Sequence, residues 1–174
     1  FQVPIMLGFA LLLALVLDSG VVWFRSAFRL GFFLPYAVPS VVGTLVWGYL
    51  YGQDFGPIAQ LAERFGLQAP NFLSDSLVLG SLANIVTWQF TGYNMLLYYA
   101  GLQNLPRDQL DAAGIDGAGK RATIRHIVIP SLYPVIGTAI LLNVIGGLRV
   151  FDLIYVMTRG GPNRSTEVLA TYMY

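Results

Sequence analysis

Four long apolar segments, separated by shorter polar stretches, run along the chain. They cover residues 1–17, 31–51, 77–102 and 127 to about 157. The second and third contain no Asp, Glu, Lys or Arg, and the fourth contains none before Arg149 and Asp152 near its far end. A helix needs about 20 mostly apolar residues to cross a bilayer. The pattern therefore predicts an all-α, polytopic membrane helix bundle with four spanning helices, and the alternative is a set of fully buried helices in a large soluble protein.

The composition favours the membrane interpretation. The chain has 174 residues, of which 56% are hydrophobic, 14% aromatic and only 11% charged, whereas about a quarter of the residues in soluble domains are charged. There is no cysteine and a single histidine, His126, so no disulfide, thiolate metal site or His-rich metal site is expected. The net charge of +1 gives no general attraction to nucleic acid. We predict no metal site, no cofactor and no nucleic-acid partner.

Basic residues predict the orientation, because cytoplasmic loops are enriched in Lys and Arg. The loops 18–30 and 103–126 hold six of them, against three in the loop 52–76 and the last stretch of the chain. We expect the first two loops in the cytoplasm and the others outside. Aromatic side chains near segment ends agree with this orientation, as at membrane interfaces: Trp47, Tyr49, Tyr51, Tyr98 and Tyr99.

The stretch GIDGAGKRAT, residues 114–123, nearly matches a nucleotide-binding P-loop. That motif requires Ser or Thr directly after the lysine, because the hydroxyl binds the magnesium ion of the nucleotide. Here the residue is Arg121. The stretch instead lies in a loop too long for a simple connector. Pro106 marks a helix start, Gly114 and Gly117 can end that helix in a left-handed cap, and we expect a second helix from Lys120 towards Pro130, which together form a cytoplasmic knob.

The same loop resembles the hallmark cytoplasmic loop of binding-protein-dependent ABC importer permeases, which reads E-A-A, three residues, G, nine residues, I, one residue, L-P. Asp111, Ala112 and Ala113 are followed at that spacing by Gly117 and then by Ile127, Ile129 and Pro130. Asp replaces the usual Glu and Ile the usual Leu. The flanking stretches FFLPYAVPSVVG and FDLIYVMTRGGPNRSTEVL resemble the carbohydrate-type branch of that family.

The resemblance implies a type I (MetI-like) permease core, with residues 1–174 as a transmembrane domain that lacks one upstream and one downstream helix. Residues 103–130 would be the cytoplasmic coupling loop, with Asp111, Ala112, Ala113 and Gly117 coupling to the ATPase. The implied partners are a second permease subunit, two cytoplasmic ATPase subunits, an extracytoplasmic solute-binding protein, membrane lipid and a sugar-like solute. The chain would be a multi-pass protein of a bacterial or archaeal cell membrane. It would be a transport subunit, with ATP hydrolysed by its partners.

A polar and aromatic cluster, TWQFTGYN at residues 87–94, lies near the middle of the third segment. Polar side chains at that depth usually face a bundle interior or a cavity, and aromatic faces with amide groups suit a sugar. The candidate pathway residues are Trp88, Gln89, Tyr93, Asn94 and, deep in the fourth segment, Asn143. The alternative is hydrogen bonding between helices. Arg149 and Asp152, three residues apart, are expected to pair on one helix face.

Two other functions fit a polytopic chain. An ATP-independent channel would need no ATPase partner, but it leaves the coupling loop without a purpose. A membrane-embedded enzyme would need an acid, base or metal set, and the sequence shows none.

Overall fold

The structure is a computed structural model that describes the backbone of residues 1–174 and every side chain except that of Arg107. No strand occurs among residues 1–174, so the prediction of an all-α fold is confirmed. The helices are α1 (Gln2–Asp18), α2 (Arg25–Ala37), α3 (Ser40–Leu50), α4 (Pro57–Arg64), α5 (Val78–Gln103), α6 (Arg107–Ile115), α7 (Lys120–Thr123), α8 (Ile129–Ser131), α9 (Tyr133–Leu148), α10 (Asp152–Met157) and α11 (Leu169–Tyr172), with one turn of π-helix at Ile124–Val128.

Helix α5 forms as the sequence predicts. It runs without a break through 26 residues, and its bounds differ by one residue at each end from the predicted segment 77–102. The segment contains no proline, so every residue of it can donate a backbone hydrogen bond.

The prediction of one helix over residues 31–51 is wrong. Helices α2 and α3 meet there at an angle of 94°. Pro39 has no N–H group and disfavours a helical conformation at Val38, and its own ψ of 136° is extended. The side-chain Nε2 of Gln89 donates a 3.3 Å hydrogen bond to the Val38 carbonyl, which satisfies a polar group that the break leaves without a helical partner.

The prediction of one helix over residues 127–157 is also wrong. The π-helical turn and α8 are followed, after a break at Leu132, by α9 at an angle of 59°. Pro130 and Pro134 flank this break, and each removes one backbone donor from the helix. Helix α9 ends at Leu148, and α10 begins at Asp152. Arg149 and Asp152 therefore do not share a helix face, which corrects the expected pair.

No single helix among the described residues combines the length and the apolar content needed to cross a membrane. Two bent pairs have both together: Arg25–Ala37 with Ser40–Leu50, and Lys120–Ser131 with Tyr133–Leu148. Helix α1 is apolar but has 17 residues. Two of the four segments predicted to span the membrane, 31–51 and 127–157, are thus broken near prolines, whereas α1 and α5 are each one continuous helix.

The chain divides into two units, and each is described by itself. Unit 1 comprises Phe1, Val3–Phe33 and Thr91–Asn143. In this unit the α1 side chains of Met6, Ala10, Ala14 and Leu17 are buried at helical spacing. Gly92 of α5 lies so close to α2 that a Cβ there would overlap the carbonyl group of Phe32. Absence of a side chain at Gly92 therefore allows the two backbones to meet.

Unit 2 comprises Gln2, Leu34–Phe90 and Val144–Tyr174. Its core contains Tyr51, Val78, Leu82, Ile85, Leu153 and Ile154. The Tyr51 ring stacks on Phe72 with 4.6 Å between ring centroids. The Tyr51 hydroxyl accepts a 2.9 Å hydrogen bond from the amide of Asn84, so the polar end of this core residue is satisfied.

Candidate functional site: the loop of residues 103–130 and the polar stretch of α5

Helix α6 begins where the sequence predicts. Pro106 is its N-cap, in an extended conformation, and Arg107 is its first residue. Asp108 lies in the first turn, where a carboxylate interacts favourably with the positive end of the helix dipole.

A Schellman motif ends α6. Gly117 has a φ of +74°, the left-handed conformation that glycine adopts without steric cost. Its N–H donates to the Gly114 carbonyl at 3.2 Å, and the N–H of Ala118 donates to the Ala113 carbonyl at 2.9 Å. These two bonds are the pair that defines the motif. The predicted left-handed cap is confirmed at Gly117, but it is wrong at Gly114, which lies inside α6 because the helix continues to Ile115.

The residues predicted to couple to the ATPase are mostly on the surface of this loop. Asp111 and Ala112 are exposed, whereas Ala113 is buried. A Cβ on Gly117 would meet no atom within 4 Å, so the constraint at this position is conformational and not one of space. Ile115, which sequence reasoning did not select, is 87% exposed. Its only sequence signal was an apolar residue between glycine and aspartate, and such a position is common in surface turns.

The second helix of the loop begins at Lys120, as predicted. Gly119 is its N-cap, with φ −66° and ψ 156°. Lys120 follows helix α6 and a turn, whereas a P-loop follows a β-strand. The structure thus agrees with the sequence in placing residues 114–123 outside the P-loop class.

Two of the candidate pathway residues, Trp88 and Gln89, lie in unit 2. The Trp88 ring meets the Trp47 ring edge-on, with 5.7 Å between centroids, and it is half-buried. A Cβ on Gly43 would lie 3.6 Å from the Trp88 ring. Gln89 bonds the Val38 carbonyl at the α2–α3 break. In this structure the side-chain amide of Gln89 therefore stabilises the backbone at the break between α2 and α3.

The other three candidates, Tyr93, Asn94 and Asn143, lie in unit 1. Asn94 is fully buried, and it exchanges hydrogen bonds with Asn143 of α9. The Asn143 amide nitrogen donates to Asn94 Oδ1 at 2.8 Å, and the Asn94 amide nitrogen donates to Asn143 Oδ1 at 3.4 Å. Asn143 also donates to the Ala139 carbonyl at 2.8 Å. The bonds between helices, which the sequence left as an alternative, are present for this pair, and Tyr93 beside it is half-buried.

Sequence reasoning missed Gly92, which lies between the selected residues. The available signal was a glycine inside a long uncharged helix, which often marks close helix packing in membranes. Among the described residues, no group of three or more His, Asp or Glu side chains could hold a metal ion.

Comparison with known proteins matches nearly the whole chain to one family. The family described as "Binding-protein-dependent transport system inner membrane component" matches residues 6–174. A probable ABC transporter permease protein of Pyrococcus horikoshii is 37% identical over 175 residues, which cover 99% of this chain and 60% of that protein. The xylose/arabinose import permease protein XacH of Haloferax volcanii is 32% identical over 171 residues, which cover 97% of this chain and 54% of that protein.

A solved structure shares the fold. It is a bacterial alginate ABC transporter in complex with an alginate pentasaccharide-bound periplasmic protein. One of its chains superposes with a TM-score of 0.78 at 19% sequence identity, and the match covers 99% of this chain and 64% of that chain. The present chain thus spans between about half and two thirds of the length of these relatives.

Proposed function

Because the chain belongs to the family of binding-protein-dependent transport system inner membrane components, we propose that it forms part of the solute pathway of an ATP-driven importer. It crosses the cell membrane of a bacterium or archaeon several times. It hydrolyses no ATP itself, and separate ATPase subunits supply the energy through the loop of residues 103–130.

The observation that carries this proposal is the exposed, capped helix α6. Asp111 and Ala112 present a small polar and apolar surface, and the Schellman motif at Gly117 gives the helix a defined end. A short helix with small residues can lie deep in a cleft of a partner, because no long side chain holds the two backbones apart. We assign that cleft to a cytoplasmic ATPase subunit.

Four partners complete the proposed transporter. A second permease subunit shares the solute pathway, two ATPase subunits bind the coupling loops, and an extracytoplasmic solute-binding protein delivers the solute. The family description names dependence on a binding protein, and the alginate transporter was captured with its periplasmic protein. Membrane lipid surrounds the remaining surface.

The proposed solute is a sugar. The relative from Haloferax volcanii is a xylose/arabinose import permease, and the structural relative carries alginate. In this chain Trp88 offers an aromatic face and Gln89, Tyr93, Asn94 and Asn143 offer polar groups. We propose that these five residues line the pathway, and that the amide groups exchange their present protein partners for sugar hydroxyls as the solute passes.

The test of coupling is Gly117→Val in the purified complete transporter. A β-branched residue at φ +74° is strained by about 1–3 kcal/mol, so the cap should open and the ATPase subunit should co-purify less or hydrolyse ATP without uptake. Gly119→Val is the matched control, because the backbone of Gly119 is already in the extended region that valine prefers. We expect near-normal transport for the control.

A third variant, Lys120→Ala, separates the proposal from nucleotide binding by this chain. We expect Lys120→Ala to have only a mild effect on transport. Normal ATP-coupled uptake by Gly117→Val would contradict the coupling role of the loop, and loss of nucleotide binding in Lys120→Ala would return residues 114–123 to the P-loop class.

A further inference from the structure

A basic and aromatic corner of unit 1, which the proposed transport function does not use, follows helix α1. It consists of Trp23, Phe24, Arg25 and Arg29 and is called the basic corner below. Trp23 and Phe24 are 93% and 76% exposed, and their ring centroids are 6.3 Å apart. No residue of helix α2, which begins at Arg25, has a buried side chain among those described.

Each of the two arginines lies against a neighbouring residue of unit 1. The guanidinium of Arg29 lies over the ring of Tyr99, 5.6 Å from its centroid. The guanidinium of Arg25 lies over Gly20, because a Cβ on that glycine would be 3.3 Å from Arg25 Nη2. Gly20 has a φ of +81°, and the hydroxyl of Ser19 donates a 2.7 Å hydrogen bond to the Val16 carbonyl, so the turn below Arg25 has a defined shape.

The positive charge of the basic corner is not paired within the part of the chain that the structure describes. Asp18 is the only carboxylate within residues 1–33 and 91–105, and its Oδ1 accepts a 2.8 Å hydrogen bond from the Gln103 amide. Among the described side chains, neither Arg25 nor Arg29 forms an ion pair. An anion is therefore the complementary ligand.

An exposed apolar stripe runs along α1 towards its C-terminal end, which the basic corner follows. Ile5, Phe9, Leu12 and Val16 are exposed, and their spacing of four, three and four residues places them on one helix face. A ligand that carries a negative headgroup and an apolar chain fits an arginine pair, interfacial aromatic rings and an apolar stripe together. A soluble anion would leave the aromatic rings and the stripe uncovered.

From these observations we infer that the basic corner binds the headgroup of an anionic phospholipid, with Arg25 and Arg29 contacting the phosphate and Trp23 and Phe24 lying at the level of the headgroups. The inference depends on the membrane location of the family and not on the coupling role of the loop 103–130. Its failure would leave the outcome of Gly117→Val unchanged.

The test measures fluorescence quenching of Trp23 in the full-length transporter, reconstituted in nanodiscs of phosphatidylcholine and phosphatidylglycerol. Either lipid is brominated close to its headgroup, and the Trp23 signal is taken as the difference between the unmodified protein and Trp23→Phe. We expect brominated phosphatidylglycerol to quench this signal more strongly. Each arginine should contribute about a fivefold preference, the value expected for one basic residue near an anionic membrane surface.

Arg25→Gln and Arg29→Gln should each reduce the preference, and the double variant should remove it. Arg64→Gln, which changes an exposed arginine at the end of α4, is the matched control and should leave it unchanged. Added salt should weaken the preference in the unmodified protein, so the conclusion does not depend on the variants folding correctly.

Equal quenching by the two brominated lipids would overturn the inference. Absence of quenching by both would also overturn it, because it would show that another segment or a partner subunit covers the basic corner. Inorganic phosphate and the soluble headgroup glycerophosphoglycerol are added separately. Loss of the preference with either one at low concentration would assign the corner to a soluble anion instead of a lipid.

Discussion

Gly92 and Gly117 belong to the same unit but depend on glycine for opposite reasons. At Gly92 the backbone is regular helix, and the obstacle to a side chain is the carbonyl group of Phe32. At Gly117 no atom lies within 4 Å of a Cβ position, and the obstacle is the φ of +74°. At Gly92, α5 is thus packed against this chain's own residues, whereas the end of α6 at Gly117 has a defined conformation and is exposed. A surface that a left-handed cap holds in one shape and that the chain leaves exposed is one that a partner is expected to cover.

The largest effect that would test this comparison is expected for Gly92→Ala. Inside a helix this change is usually stabilising by about 0.5–1 kcal/mol, but here the added methyl group overlaps the Phe32 carbonyl, and overpacking costs about 1–3 kcal/mol or more. Gly80→Ala in the same helix is the matched control, because no atom lies within 4 Å of its Cβ position. Thermal unfolding of the purified protein should show a lower unfolding temperature for Gly92→Ala and a higher one for Gly80→Ala. Equal stability of the two variants would contradict the close approach of α2 and α5.

An intermediate effect is expected for Asn94→Leu and Asn143→Leu. Each single change leaves an amide without its partner across the helices, at a cost on the order of 1 kcal/mol. The double variant removes both polar groups, so its loss of stability should be smaller than the sum of the single losses. The measurement is a double-mutant cycle on thermal unfolding. Strictly additive losses would mean that the two amides do not interact in the folded protein.

The same variants also sharpen the assignment of the pathway. If Asn94 and Asn143 serve packing alone, uptake by the double variant should recover along with stability. If they also contact the solute, as proposed, stability should recover while the apparent affinity for the solute stays weak. Uptake kinetics of the double variant, measured beside its unfolding temperature, distinguish the two roles.

The smallest effect is expected for Gly114→Ala in the loop of residues 103–130. Gly114 lies inside α6, and a Cβ there would meet no atom within 4 Å. Alanine should therefore raise the stability of the helix by about 0.5 kcal/mol and leave ATP-driven uptake intact. Circular dichroism and uptake together check the result. A loss of stability would contradict the helical placement of Gly114 and indicate that both glycines belong to the cap.

The comparison also explains which parts of the fold the sequence could predict. The sequence predicts helix α5 to within one residue at each end. A stretch of this length without charge or proline can form one continuous helix and contains no residue that would break it. The segments broken at Pro39 and near Pro130 are each predicted to span the membrane, because prolines are tolerated in membrane helices when other groups satisfy the freed backbone. Whether such a proline bends the chain by 59° or 94° depends on contacts such as that of Gln89, which the local sequence does not contain.

The candidate site was predictable to a similar extent. The cap at Gly117 follows from the spacing of a short motif, whereas the choice between Gly114 and Gly117 depends on which carbonyls accept the two closing hydrogen bonds. The partnership of Asn94 with Asn143 joins residues 49 positions apart, and no local periodicity predicts it. The close approach at Gly92 likewise needs the position of α2, which only the folded chain provides.

The π-helical turn at Ile124–Val128 gives the chain one extra residue between helix α6 and the helices that follow. Each residue of a helix advances the azimuth by about 100°, so the extra residue sets the direction in which α6 points relative to the helical stretch that begins at Ile129. Deleting one residue from this turn would restore an ordinary helix and rotate the exposed face of α6 by about a quarter of a circle. The exposed residues Asp111 and Ala112 would then face in a different direction, although no residue of α6 itself would have changed.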